Sequence, residues 1–241
     1  MLLNCDMGES FGNYSIGADS EVMAYVDMAN IACGMHASDP DVMDYTVTLA
    51  AKHNVTVGAH PGYPDLQGFG RRNMDLSPAE VENLVLYQVG AMKAFCSKHQ
   101  ADLTYIKPHG ALYNTMMKNQ EILEAIVRAT AQSELKLMIL ATADFEFHKT
   151  LAQKHGIELI LEGFADRGYE DDGSLVNRRK ENAFLSAEKM VKRVTDLCNG
   201  MPITSTRGKS LQFPVDTLCV HGDGEGVTLI KQFRSIIDQH G

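Results

Sequence analysis

No apolar run in this chain of 241 residues reaches the roughly 18 that a membrane span requires, and the N-terminus, MLLNCDMGES, lacks the basic segment and long apolar core of a signal peptide. A soluble cytoplasmic protein is the expectation. The five cysteines, Cys5, Cys33, Cys96, Cys198 and Cys219, are odd in number and form no C-x-x-C pair, which argues against a disulfide framework or zinc knuckle and for reduced, mostly buried thiols. Cys5, Cys33 and Cys219, near strand ends, are the candidates for a cysteine nucleophile. A basic excess is missing too. The net charge of −9 argues against nucleic acid and anionic membranes as partners, so an anionic substrate must be met by a few local cations. A phosphate loop is also lacking: TRGKS (206–210) ends like one, but the glycine required upstream falls at Ile203. Finally, no Pro/Ser-rich linker, low-complexity tract or shift in charge divides the chain. One domain over residues 1–241 is the simplest account, since α/β barrels commonly occupy this length.

What the chain does contain is an alternation of strand and helix signals from end to end. LLNC, MANIAC, TVGA, LTYIK, LKLMIL, IELIL and DTLCV read as strands, several of them unbroken apolar runs of the kind found in parallel sheets covered on both faces. Helical stretches lie between them and give seven β–α units. The clearest, SPAEVENLVLYQVGAMKAFCSKH, opens with Ser77 as N-cap, Pro78 in the first turn and Glu80 at the capping-box position. Val81, Leu84, Val85, Gln88, Met92, Phe95 and Cys96 then recur at helical spacing. Another helix begins at SDPDVMDY, and one runs from about Ser186 to Gly200, where glycine suits the position after the C-cap. MPITSTRGKSLQFP reads as a small β excursion before the last strand.

Alternating parallel strands and helices fit an open doubly wound sheet or a closed barrel, and only the barrel brings every C-terminal strand end to one mouth. The nine histidines bear on this choice. His53, His99, His155 and His240 lie at predicted helix C-termini, where positive charge meets the helix dipole, and His148 reads as a helix-surface residue. The other four, His36 (ACGMHASDP), His60 (VGAHPGYPD), His109 (IKPHGALYN) and His221 (CVHGDGEG), each follow an apolar strand and precede a small residue or proline. The first and sixth strands end comparably, in NCDMGES (Asp6, Glu9) and EGFADRGY (Asp166, Arg167). Ionisable groups at six strand ends would be scattered along an open edge and gathered by a barrel. A seven-stranded, TIM-like (β/α) barrel with a polar mouth is therefore expected.

Lys107 and His109, two apart, would face one side of an extended strand. The lysine can stabilise developing negative charge and the histidine can move a proton, although a Lys–carboxylate pair inside the barrel would account for Lys107 on structural grounds. Asp6 and Glu9 are candidates for a general base or metal ligand, or for capping the following turn. Asp6, His36 and His60, from adjacent strands, form a candidate divalent-metal set. Glycines in GYPDLQGFGRR and HGDGEG let backbone approach a ligand, and Arg71, Arg72 and Arg167 can clamp a carboxylate or phosphate, with Arg72 fitting surface-loop chemistry equally well.

Taken in order, LNCDMGESFG, NIACGMHASDP, GAHPGYPDLQGFGRR, KPHGALYN, EGFADRGY and CVHGD resemble the LamB/YcsF family over essentially the whole chain. Ser38 stands where that family usually has glycine, and GDGEGVTL replaces a more usual proline-containing turn. The resemblance implies a seven-stranded barrel related to glycoside hydrolases and deacetylases. It also implies one subunit of the bacterial ATP-dependent 5-oxoprolinase, working with separate B and C subunits to convert 5-oxo-L-proline, ATP and two waters to L-glutamate, ADP and phosphate. In that reaction Asp6 or Glu9 would orient or deprotonate water, Lys107 would stabilise charge on the lactam or phosphoryl oxygen, and His109 with His221 and Asp223 would handle protons. His36, His60, Arg71, Asp166 and Arg167 would bind substrate. Two alternatives remain open at this point: a stand-alone metal-dependent amidase or deacetylase, and a non-catalytic subunit that binds a small acid or carbohydrate.

Overall fold

The seven strands close on themselves. The computed structural model describes residues 1–221 and 226–240, without the side chains of His221 and Val227. In chain order β1 (Leu2–Met7), α1 (Asp19–Val22), β2 (Met28–Ala32), α2 (Pro40–His53), β3 (Thr56–His60), α3 (Pro78–His99), β4 (Leu103–Ile106), α4 (Gly110–Met116) and α5 (Gln120–Gln132) form the first part. Then come β5 (Lys136–Leu140), α6 (Phe145–Lys154), β6 (Leu159–Phe164), α7 (Ala187–Cys198), β7 (Ile203–Thr204), β8 (Ser210–Leu211), β9 (Thr217–His221) and α8 (Gly226–His240). All barrel pairs are parallel, in the order β1-β2-β3-β4-β5-β6-β9, and β9 pairs with both β1 and β6 to complete the circle. The antiparallel β7–β8 hairpin is the expected β excursion, and TRGKS is its turn rather than a phosphate loop.

Local chemistry sets the helix limits. Ser77 caps α3 with a full capping box to Glu80, and Asp39 caps α2 by accepting from the amides of Asp41 and Val42. Such caps are each worth about 1 kcal/mol. Gln88, in the middle of the apolar face of α3, is fully buried because its amide accepts from Gly62 N (2.9 Å) and donates to Gly62 O (3.0 Å), fastening the loop after β3 to the helix. His53, His99 and His240 end their helices as anticipated, and His155 caps α6. His148 does not lie on the surface: it is 7% exposed, because the face of α6 that packs inward also carries Leu151 and Ala152, and burial pushes its pKa down. The five cysteines are free, and four are buried.

Two cores result. The larger lies between strands and helices, while Met28, Tyr105 and Met138, with Ile160 against them, form a small separate cluster. Because strand side chains alternate, the residues two positions on from these share their face. Beyond Met28, Tyr105 and Ile160 those residues are Asn30, Lys107 and Glu162, while Met138 is followed by Leu140, so the barrel interior becomes mostly polar towards the C-terminal strand ends. Gly58, two before His60, makes room for this lining: a Cβ there would lie 2.1 Å from the Tyr105 ring. No helix among the described residues is long and apolar enough to cross a membrane.

Candidate active site

A hydrogen-bonded polar layer fills the upper barrel. Tyr105 Oη donates to Asn30 Oδ1 (2.6 Å), Asn30 Nδ2 donates to Asn4 Oδ1 and Asp6 Oδ1 (2.8 Å each), and Asn4 Nδ2 donates to Thr217 Oγ1 (3.0 Å). At its centre Lys107 Nζ lies 2.7 Å from Asp6 Oδ1 and 2.7 Å from Glu162 Oε1, and 3.3 Å from Cys219 Sγ. Tyr113 Oη donates to the other oxygen of Glu162 (2.8 Å). Burial alone would drive the Lys107 ammonium to lose its proton, but the two carboxylates outweigh it and hold its pKa well above the ordinary lysine range. Lys107 is thus both an interior ion-pair partner and a fixed positive charge facing the mouth. Cys5, Cys33 and Cys219 are unsuited to nucleophilic attack, because burial raises all three thiols, Cys33 to about 12, and the thiolate is the reactive form.

Above this layer the imidazoles converge. β4 ends at Ile106, yet the chain continues beside β3: Lys107 N donates to Ala59 O (2.9 Å) and His109 N to Pro61 O (2.8 Å), which delivers both side chains to one cavity. His60 Nδ1 lies 2.6 Å from Lys107 O, His109 Nε2 lies 2.8 Å from Phe69 O, and His60 Nε2 and His109 Nδ1 are 3.0 Å apart. His36 stacks on His109 with ring centroids 3.7 Å apart, and its Nε2 is 3.5 Å from Glu9 Oε1. Burial, and then the neighbouring imidazoles, push His36 and His109 well below the ordinary histidine pKa, so both are neutral at pH 7. One donor atom from each of Glu9, His36, His60 and His109 lies within 4.8 Å of the others, so these four residues could hold a metal ion. Asp6 stands next to that group, its Oδ2 3.5 Å from His60 Nε2, while its Oδ1 meets Lys107 and Asn30.

The loops explain why this packing is possible. Gly70 has φ +62°, and a Cβ there would come 2.7 Å from His36 Cβ and 2.8 Å from His109 Cδ2, so the GFG turn closes directly onto the rings. Ser38, beside His36, is fully buried and adopts φ +74°, a conformation that suits the glycine usual there, with its amide donating to Ser10 O (3.1 Å).

The cavity, about 640 Å³, is lined among others by Asp6, Glu9, His60, Arg71, Lys107 and His109, with Arg167, Arg178, Arg179 and Lys118 adding positive charge. Arg167 is itself anchored to Ala183 O (3.1 Å) and Val176 O (2.6 Å), and burial lowers its pKa to about 10. Arg72 also lines the cavity, but its guanidinium is bound at Asp65, in keeping with loop chemistry. Asp166 is buried just beyond β6 and does not line the cavity, nor does His36, which lies behind His109. His221 ends β9 with its backbone in register with Asp6, while its side chain and the whole of Asp223 fall outside the described residues. Sequence reasoning did not single out Glu162, Asn4, Asn30, Tyr105 or Tyr113. A polar residue inside an apolar strand run was the available signal for the first three.

The LamB/YcsF family model matches residues 1–241. The chain is 51% identical to the 5-oxoprolinase A-subunit of Chromohalobacter salexigens, covering 98% of this chain and 96% of that protein. It is 49% identical to the protein of the same name from Vibrio parahaemolyticus, over 100% and 97%. Its fold superposes on the crystal structure of a lactam utilization protein from Thermus thermophilus with a TM-score of 0.90 and 36% identity, covering 99% and 96% of the two chains. The strand-end motifs, the closed seven-stranded barrel and these full-length likenesses agree: this chain belongs to the LamB/YcsF family.

Proposed function

We propose that this chain is the A-type subunit of a cytoplasmic ATP-dependent 5-oxoprolinase and that the mouth of its barrel opens the lactam ring. ATP is the co-substrate of the assembled enzyme, and B and C subunits are its partners. The observation that carries this reading is the Lys107 ammonium, fixed between Asp6 and Glu162 at the floor of a cavity that also holds Glu9, His60 and His109. Full-length identity of 49–51% to proteins named as the 5-oxoprolinase A-subunit supports it.

The chemistry follows from the lactam. Amide resonance, visible in the roughly 18–20 kcal/mol barrier to peptide rotation, makes the carbonyl carbon a poor electrophile. Transfer of a phosphoryl group from ATP to the lactam oxygen removes that resonance. Water then adds to the carbon, the C–N bond breaks with the nitrogen taking a proton, and the resulting acyl phosphate takes a second water to give glutamate and phosphate. Within this scheme Lys107 offsets negative charge on the substrate oxygen, Asp6 or Glu9 orients and deprotonates water, and neutral His109, whose lone pair is on Nδ1, takes up a proton there. His221 and Asp223 complete the proton path in this proposal. Arg71 and Arg167, with Arg178, Arg179 and Lys118, supply the local positive charge that a chain of net charge −9 needs in order to hold an anionic substrate.

The grouping of Glu9, His36, His60 and His109 favours one competing reading, a metal-dependent amidase that works alone. A single assay separates the two: glutamate release from 5-oxoproline with ATP, this chain being omitted from and then restored to its partner subunits. Turnover only in the complete, ATP-supplied mixture supports the proposal. Lactam hydrolysis by this chain alone, without ATP, rejects it.

A further inference from the structure

The hydrogen bonds of His60 and His109 fix where their protons sit. A carbonyl oxygen can only accept, so the 2.6 Å contact of His60 Nδ1 with Lys107 O places a hydrogen on Nδ1, and the 2.8 Å contact of His109 Nε2 with Phe69 O places one on Nε2. In the neutral rings the lone pairs of His60 Nε2 and His109 Nδ1 then face each other at 3.0 Å. Two lone pairs at that distance repel unless something positive lies between them. The rings cross at 89°, so one point can lie in both ring planes. The 3.0 Å spacing falls within the about 3.0–3.4 Å expected between neighbouring ligands held about 2.1 Å from one transition-metal ion, and Glu9 Oε1, 3.6 Å from His109 Nδ1, stands slightly wider.

We propose that His60 Nε2, His109 Nδ1 and Glu9 Oε1 are the ligands of one divalent transition-metal ion, with the remaining coordination positions open to the cavity. Two imidazoles and a carboxylate suit zinc and its neighbours and leave room for water or a substrate oxygen. The ligands come from the ends of β1, β3 and β4, and the two backbone carbonyls orient the rings in the way that outer-shell partners commonly orient metal-bound imidazoles. His36 is the adjacent wall. It is 1% exposed, neither ring nitrogen has a hydrogen-bond partner among the described residues, and its ring is parallel to that of His109 within 3°. Its lone pair therefore cannot share a plane with an ion held by His109, and it becomes a fourth ligand only by turning out of the stack. Asp6 stays with Lys107 and Asn30 as a neighbour of the ion, not a ligand. The site stands on ring geometry and does not depend on which reaction the cavity performs.

The competing occupant is a proton, which would make one ring an imidazolium. The test uses the full, untagged chain stripped of ions by a chelator and titrated with Zn²⁺ or Co²⁺, read by elemental analysis, calorimetry and the visible spectrum of Co²⁺. One ion per chain is expected, with affinity reduced at least about tenfold in each of H60Q, H109Q and E9Q, and less than about threefold in D6N. Circular dichroism melts identify any variant that fails to fold, and ring ¹⁵N shifts of the ion-free wild type provide a measurement that needs no variant. The proposal is overturned if no stoichiometric ion binds, if binding survives H60Q and H109Q, if D6N weakens it as much as E9Q, or if the ion-free rings carry an imidazolium at pH 7 that added Zn²⁺ does not displace.

Discussion

Glu162, fully buried inside the barrel, places its Oε1 2.7 Å from Lys107 Nζ. Together with Asp6 on the other side it keeps a charged ammonium where burial alone would neutralise it. Removing the lysine strands two carboxylates in a dry interior. K107M should therefore lose about 3–5 kcal/mol of stability in urea unfolding, and the double variant K107M/E162Q should recover part of that loss. Equal loss in the single and double variants would show that the two groups are not coupled.

Gly70 carries the contact between the arginine-bearing loop and the imidazoles. G70A places a Cβ against His36 and His109 at a position with φ +62°, where a side chain costs about 1–2 kcal/mol before any clash. Its melting temperature should fall, and turnover of the reconstituted enzyme should fall further than a remote destabilising variant of equal stability.

Ser38 offers the opposite case. Its φ of +74° is strained for serine and free for glycine, and among the described residues its hydroxyl makes only a long hydrogen bond, 3.4 Å to Asp39 O. S38G should raise stability by about 0.5–1 kcal/mol, the relief of strain being partly offset by the greater freedom of glycine in the unfolded chain. Chemical denaturation of the pair measures it.

Asp19 accepts from Gly8 N at 2.7 Å, in the turn that joins Asp6 to Glu9. Burial raises its carboxyl to about 6, against the Gly8 hydrogen bond, which lowers it. The folded chain thus holds this proton more tightly than the unfolded chain, where the pKa is about 4. The resulting stability is fully present below about pH 4 and is lost as pH rises through about 6. D19N should remove that component, and unfolding midpoints of wild type and variant measured from pH 4 to 7 will show the difference in slope.

The barrel was legible because its strands are short apolar runs and because ionisable residues recur at their C-terminal ends. Spacing also placed Lys107 and His109 on one side, an expectation met through backbone pairing that outlasts β4. Glu162 escaped notice because the strand signal IELIL stops one residue short of it, whereas β6 runs on to Phe164, and only the closed barrel shows that a residue two positions after Ile160 faces the interior. Likewise, the grouping of Glu9 with three imidazoles depends on loop geometry: the positive φ of Ser38 and Gly70 and the Gln88 clamp on Gly62 bring the rings within contact, and none of these can be read from residue spacing. His148 was misplaced because helical periodicity alone does not say how wide a face the neighbouring strands cover.

The central claim is that the barrel mouth is where the lactam is opened. The most direct measurement is ATP-dependent release of glutamate from 5-oxoproline by the reconstituted enzyme containing D6N or H109Q, each verified as folded by circular dichroism. A fall of about 100-fold or more in kcat for both is predicted, the scale expected when an acid–base group is lost. Turnover within about twofold of wild type in both folded variants would contradict the account, because the chemistry would then lie elsewhere.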